Sequence, residues 1–492
     1  MADIHGSMTE DKRSGSVYDR RSPLELDGAA MRALVDLAMA RIIEHIDTLE
    51  RQPAAVETGG AELARSLVES LPQTGTPPAE LMELLFERVI PVSYNTASAG
   101  YLAYIPGGGL LHSAVADLIA NAVNRYVGVW IAAPGLVQLE ANVVRWFCQI
   151  VGYPEDAGGV LTTGGSLANL FALITARRVR LPADFLAGTI YTSADTHHSI
   201  QRAAVLAGFP PANVRDIPVD DARRIDVRAT ARQIEQDRHD GLLPFCLVGN
   251  AGTTNTGAID DLDGLASLAA EFALWFHVDA AYGGFFALTE RGRARMAGLA
   301  RADSMSLDPH KGLFLPYGTG SLLVRDPETL WQAHSVFAHY MPAMQEDHEF
   351  VDFTQISPEL SRDFRGLRAW LPIKMHGIDV FRDQLDEKLD LTEWAHQRLR
   401  EISDVEIVAP PQLSVVAFRL RRPGWDATRL NALNREFMRR INARGNVYLT
   451  GTMLGPDFAL RICVLSFRTH RDRMETCLSD IEQAAGTLVG PA

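Results

Sequence analysis

Ser304–Gly320 reads SMSLDPHKGLFLPYGTG. A short strand-like run ends at Asp308. Lys311 follows, and the chain then continues through the apolar Leu313, Phe314 and Leu315. The chain strongly prefers arginine, and lysine occurs only at Lys12, Lys311, Lys374 and Lys388. The other three lie in polar or mixed surroundings. A buried amine is costly unless it is paired or neutralised. It is also the side chain that shifts its pKa on burial and forms Schiff bases.

The same form, an apolar strand with a polar end, recurs on the N-terminal side as GTIYTSAD, FCLVGNAGT and LWFHVDAA, and once more on the C-terminal side as GSLLVRD. From about Tyr101, helical patterns such as Leu136–Val151 and Ser166–Val179 alternate with short apolar runs of this kind. Strand alternating with helix predicts crossover units and an α/β fold with a mostly parallel central sheet. Such sheets bind ligands beyond the carboxyl ends of their strands. Those ends are where chemistry is expected.

Outside this region the pattern changes. Residues 1–95 read as a helical segment, with helices expected over AAMRALVDLAMARIIEHIDTLE, Ala61–Leu71 and Glu80–Val89. It looks too thin to fold without packing on something else. Residues 96–370 form the expected large α/β domain. Trp331–Arg368 within it reads as a long loop with short helices, and loops of that length are usually functional. Residues 371–492 carry VEIVAP, SVVAFRL, NVYLTGTML and ALRICVLSF between helices, a small α+β domain.

Composition narrows the class. Of the 492 residues, 47% are hydrophobic and 22% charged, which is ordinary for a globular protein. A net charge of -14 argues against nucleic acid and anionic membrane as partners. The four cysteines have no metal-like spacing, and a reducing compartment is expected. No apolar run approaches a membrane span, and the first residues lack a signal-peptide core. The expected location is cytoplasmic.

Each strand end offers a site. LTTGGSLANL places Gly164, Gly165 and Ser166 before a helix, where bare amides and the helix dipole suit an anion. Alone, this is also an ordinary glycine turn with a serine cap. His197 and His198 follow another strand. Neighbours there face opposite ways and do not share a metal, so no metal is expected, but one of them could stack on a flat cofactor. Gly252, Thr253 and Thr254 offer hydroxyls, or simply form a turn. Asp279 follows an apolar run and needs a cationic partner. Ala280 and Ala281 beside it are small enough for a ring to lie close. In chain order these are an anion cradle, a flat stacker, a polar turn, a carboxylate and an amine. Pyridoxal 5'-phosphate needs that set: amides for its phosphate, an acid for its pyridine nitrogen, and an amine for its aldehyde. Lys311 supplies the amine, held as an imine rather than as a free buried ammonium.

Over about residues 30–480 the chain resembles the group II pyridoxal-phosphate-dependent amino acid decarboxylases, the family of aromatic-L-amino-acid, histidine and glutamate decarboxylases. DPHKG, HVDAAYGG and TTGGSLANL carry the likeness. The resemblance implies a fold-type I enzyme, usually a homodimer with active sites at the subunit interface. It implies Lys311 as the cofactor lysine, Asp279 as the ring-nitrogen partner, His197 rather than His198 as the stacking histidine, and His310 before the lysine. It also implies Tyr340, on a loop after the lysine, as proton donor to the substrate Cα. Tyr101, Val129 and Trp130 lie in segments that line the substrate side in relatives. Aromatic residues there suit an aromatic substrate, or equally fill an interface.

Two positions depart from the family. Asp308 stands near the expected phosphate where many relatives have asparagine. Gly312 replaces a frequent tryptophan and would widen the site. The expected reaction is decarboxylation of an L-amino acid to its amine. The alternatives are an aldehyde-forming oxidative variant, a non-aromatic substrate such as glutamate, histidine or 2,4-diaminobutyrate, and an aminotransferase with Arg461 as carboxylate anchor. Aldehyde-forming relatives typically replace the loop tyrosine or the stacking histidine. Tyr340 and His197 are both present here, which favours simple decarboxylation.

Overall fold

The computed structural model describes Ser22 and residues 24–336 and 349–489. The described chain forms two compact units. One comprises residues up to 51 together with 57–93; the other comprises 52–56 and everything from Tyr94 onward.

The first unit is helical. Its main helix, Gly28–Asp47, begins where the Asp27 carboxylate accepts the Ala30 N–H at 2.8 Å. Such a cap satisfies one of the free amides at a helix start. No residue of this helix is buried. A second helix ends at Ser66, short of the expected Leu71. The third begins at Pro78 as α-helix and passes into a π-turn at Leu84–Val89.

The second unit contains two sheets. The strands of the first are β1 Gly158–Thr162, β2 Gly188–Ser193, β3 Val214–Ile217, β4 Leu243–Asn250, β5 Trp275–Asp279, β6 Ser304–Leu307 and β7 Gly320–Val324. Their order is β1-β7-β6-β5-β4-β2-β3. The pairs from β3 to β6 are parallel, and β7 is antiparallel to both neighbours. Every residue of β2, β5, β6 and β7 is buried. Helices cover both faces of a parallel sheet, so its strands read as continuous apolar runs rather than alternations. β1 and β3 were not anticipated. β1 opens on two glycines, and β3 is a four-residue edge strand with only Ile217 buried.

The second sheet is antiparallel, with strands β8 Val405–Ala409, β9 Val415–Leu420, β10 Thr450–Leu454 and β11 Asp457–Cys463 in the order β10-β11-β9-β8. Leu391, Leu399, Phe437, Ile441, Met474 and Ile481 from three helices pack with Val416, Phe418, Leu460 and Ile462 into one core. All four cysteines are buried and unpaired. Lys388 is buried too, contrary to its polar-looking surroundings in the sequence. Its ammonium donates to the Thr469 carbonyl at 2.7 Å and to Glu387 at 2.8 Å.

Candidate active site

The strand directions assemble the site. β2, β4, β5 and β6 run parallel. β7 opposes both β6 and β1, so β1 runs with β6. The carboxyl ends of five strands therefore share one edge of the sheet. The segments that leave them line a cleft of about 280 Å³. Gly164, Gly165, Ser166, His197, Thr253, Asp279, Ala281, Asp308, His310 and Lys311 all line it.

The cradle after β1 needs its glycines. A Cβ on Gly320 would lie 2.4 Å from the Gly164 Cα, so β7 enters the sheet directly against this turn. A Cβ on Gly165 would lie 3.0 Å from the Ala281 Cβ and 3.1 Å from Asp308 Oδ2. The helix Gly165–Arg180 starts there, and its first amides are left open to an anion.

Asp279 ends β5, 8% exposed. Register sets Asp279 beside Ser306 and His277 beside Ser304. The Ser306 hydroxyl donates to Asp279 Oδ1 at 3.1 Å, as does the Ala281 N–H at 3.2 Å, and Asn169 Nδ2 donates to Oδ2 at 3.0 Å. Three donors orient the carboxylate and leave lone pairs for a cationic partner. His197 is held through Nδ1 by Ser199, whose Oγ lies at 2.8 Å. Burial pushes the His197 pKa down, against the opposing pull of Asp279. The neighbouring His198 is exposed and does not line the cleft.

Lys311 Nζ lies 2.8 Å from Asp308 Oδ2. Burial alone would lower the lysine pKa. The charge and hydrogen bond of Asp308, with help from Asp279, outweigh it and leave the pKa raised. Asp308 is therefore the counter-ion of the lysine amine. Asp308 Oδ1 is buried and has no hydrogen-bond partner among the described residues. His310 Nδ1 donates to the Thr319 carbonyl at 2.6 Å, and burial lowers its pKa.

Other expected residues lie elsewhere. Tyr101 is buried and stacks on Tyr448, Val129 is buried, and Trp130 stacks on Phe350 with centroids 4.2 Å apart. None of the three lines the cleft. Arg461 does not line it either; its guanidinium donates to the Tyr104 carbonyl at 2.9 Å and to Thr450 at 3.3 Å. Tyr340 lies outside the described residues. Gly312 does not widen the cleft. A Cβ there would meet the Phe285 Cβ at 2.6 Å, so a buried phenylalanine fills that space.

The sequence reading missed Asn169, Ser199, Asn250 and Tyr282, all of which line the cleft. Asn169 carried a usable signal. It shares a helix face with Gly165, Ala168, Ala172 and Ala176, all buried, and a polar side chain on such a face needs partners.

An open glycine cradle, a carboxylate ringed by donors and a lysine amine in one cleft fit pyridoxal 5'-phosphate. On this sheet they define a fold-type I pyridoxal-phosphate enzyme. A family profile described as the pyridoxal-dependent decarboxylase conserved domain matches residues 62–421. An aromatic-L-amino-acid decarboxylase of Bacillus atrophaeus is 35% identical over 464 residues, covering 94% of this chain and 97% of the relative. The solved structure of Oryza sativa TDC with PLP and tryptamine superposes with a TM-score of 0.90 at 26% identity, covering 95% of this chain and 99% of that one. Rhodiola rosea 4-hydroxyphenylacetaldehyde synthase gives a TM-score of 0.88 at 25% identity, covering 94% of this chain and all (100%) of that one. The chain belongs to the pyridoxal-dependent decarboxylase family. It is a carboxy-lyase that uses pyridoxal 5'-phosphate.

Proposed function

We propose that the protein decarboxylates an aromatic L-amino acid to the corresponding amine and carbon dioxide. One observation carries the reading: Lys311, Asp279 and His197 converge on one cleft in a chain that matches an aromatic-L-amino-acid decarboxylase over 94% of its length. When bound, the cofactor supplies an electron sink for the pair left behind by carbon dioxide. The protein's own groups do the rest. Lys311 Nζ would hold the cofactor. Asp279 would pair with its ring nitrogen, and His197 would stack on its ring. Gly164, Gly165 and Ser166 would hold the phosphate, with Thr253, Ala281 and His310 completing the wall. Tyr340 delivers a proton to the carbon that has lost its carboxylate.

A second reading is favoured by the likeness to 4-hydroxyphenylacetaldehyde synthase: decarboxylation coupled to oxidation, giving an aldehyde. The presence of His197 and Tyr340 supports the simpler reaction. A panel of L-amino acids incubated with the holoenzyme separates the two. Amine matching carbon dioxide from an aromatic substrate supports the proposal. Amine only from glutamate, histidine or 2,4-diaminobutyrate would move the substrate and leave the reaction.

The protein would act as a cytoplasmic homodimer. Leu111, Val115, Leu118, Ile119 and Val123 form an exposed apolar stripe on the helix Leu111–Val123, and Met31, Leu34, Val35 and Ile43 are exposed on the helix Gly28–Asp47. A second copy is the occupant that suits both. Tyr101, Val129 and Trp130 would then act near the partner's substrate site. No helix among the described residues is long and apolar enough to cross a membrane. The functional division proposed is residues 1–95, 96–370 and 371–492.

A further inference from the structure

Behind the cleft runs a buried chain of hydrogen bonds whose direction can be counted. Trp275 Nε1–H is a donor only, and it lies 2.8 Å from Ser304 Oγ. Asp279 only accepts, so Asn169 turns its Nδ2 to that carboxylate and its Oδ1 to His277, whose Nε2 therefore donates at 3.0 Å. The neutral ring then accepts at Nδ1 from Ser304 Oγ at 2.8 Å. Burial lowers the His277 pKa, in keeping with a neutral ring. The Asn169 carboxamide has two protons left to give. One goes to Asp279 Oδ2 at 3.0 Å, the other to Ser199 Oγ at 2.9 Å. Ser199 Oγ then donates to His197 Nδ1 at 2.8 Å, and the Ser199 N–H approaches the same nitrogen at 3.3 Å.

Every donor in this chain finds one acceptor. Turning the Asn169 carboxamide over would set its oxygen against the Asp279 carboxylate and an amide proton against His277 Nε2–H. Asn169, Ser199, His277 and Ser304 are each 3% exposed or less, so water cannot repair a reversed link.

We propose that Asn169 is a positioning residue that fixes His197 as its Nε2–H tautomer and orients the Asp279 carboxylate at once, with the polarity set by the acceptor-only Asp279 and by the Ser199 N–H. Its catalytic meaning rests on the role given to His197 above. A protonated His197 would direct an Nδ1–H against the Ser199 N–H, so the chain also favours the neutral ring. Asp279, Asp308, Lys311 and His198 are the other charged or titratable groups around it.

The test is magic-angle-spinning ¹⁵N NMR of the full chain with labelled histidine, with and without cofactor, assigning His197 by its loss in His197→Gln. The expected signal near neutral pH has Nδ1 unprotonated and Nε2 protonated. In Asn169→Asp, Nδ1 becomes protonated, and in Ser199→Ala the signal divides between tautomers. In the loaded Asn169→Asp enzyme, the acid limb of kcat moves up by about one pH unit while KM changes little. A protonated Nδ1 in the unsubstituted protein overturns the proposal, as does an unchanged His197 signal in both variants. Should Asn169→Asp fail to fold, the unsubstituted protein and Ser199→Ala decide it. The cofactor-free spectra read the imidazole alone, so their failure leaves the decarboxylase reading standing; that reading fails by its products.

Discussion

Asp308 Oδ2 and Lys311 Nζ sit 2.8 Å apart, and the other Asp308 oxygen is buried with no partner among the described residues. The pair gives the lysine ammonium its counter-ion. It also has a consequence for loading. Once the amine is committed to the cofactor, Asp308 loses its counter-ion beside the anion cradle. Asp308→Asn should therefore tighten cofactor binding by roughly tenfold, about 1.4 kcal/mol. Titrating the apoprotein with pyridoxal 5'-phosphate and following visible absorbance measures it. Weaker binding would show that the carboxylate helps hold the cofactor.

Lys311→Ala should abolish covalently held cofactor and its absorbance. It also strands Asp308. With the lysine side chain 22% exposed, the loss in apoprotein stability should be roughly 2 kcal/mol, less than for a fully buried pair. Lys311→Ala/Asp308→Asn should recover most of that loss in a denaturant titration. No recovery would mean that Asp308 is not the partner that matters.

Asp279→Asn keeps an acceptor for Asn169 but removes the charge. The holoenzyme should lose roughly 100-fold or more in kcat, about 3 kcal/mol or more of transition-state stabilisation, while its melting temperature stays within a few degrees. A large fall in melting temperature with kcat intact would make Asp279 structural.

Gly312→Ala should act on packing rather than on substrate choice. The new Cβ meets Phe285, and overpacking of this kind typically costs about 1–3 kcal/mol. Substrate preference should not change. An altered preference at unchanged stability would restore the view that this glycine shapes the site.

His334 gives a pH prediction away from the cleft. Burial, with Arg178 nearby, holds its pKa down at about 4. Its neutral ring therefore contributes stability that is fully present above the unfolded value near 6.5 and is lost as pH falls through about 4. His334→Gln should flatten the acid side of the stability curve by at most about 3 kcal/mol. Parallel acid curves for both proteins would contradict it.

Much of the site was legible because the chemistry sits where buried strands end. Continuous apolar runs announced β2, β4, β5, β6 and β7, and each polar residue just beyond a run was conspicuous. Asn169 was less so: its buried helix face signals a need for partners, but not which ones, since all three lie on other elements. Gly312 misled because the space beside a glycine is visible only once Phe285 is placed. Lys388 misled because the acceptor that buries it, the Thr469 carbonyl, lies 81 residues away. Tyr101, Val129 and Trp130 do not line the cleft that one chain forms, and a reading of segments does not tell which chain's cleft they would serve.

The most direct test is the stoichiometry of one reaction. Holoenzyme with its best aromatic L-amino acid, in air, should release carbon dioxide and amine in equal amounts, with neither aldehyde nor hydrogen peroxide. Tyr340→Phe should then divert product toward aldehyde and peroxide. Aldehyde and peroxide from the unsubstituted enzyme would contradict the account.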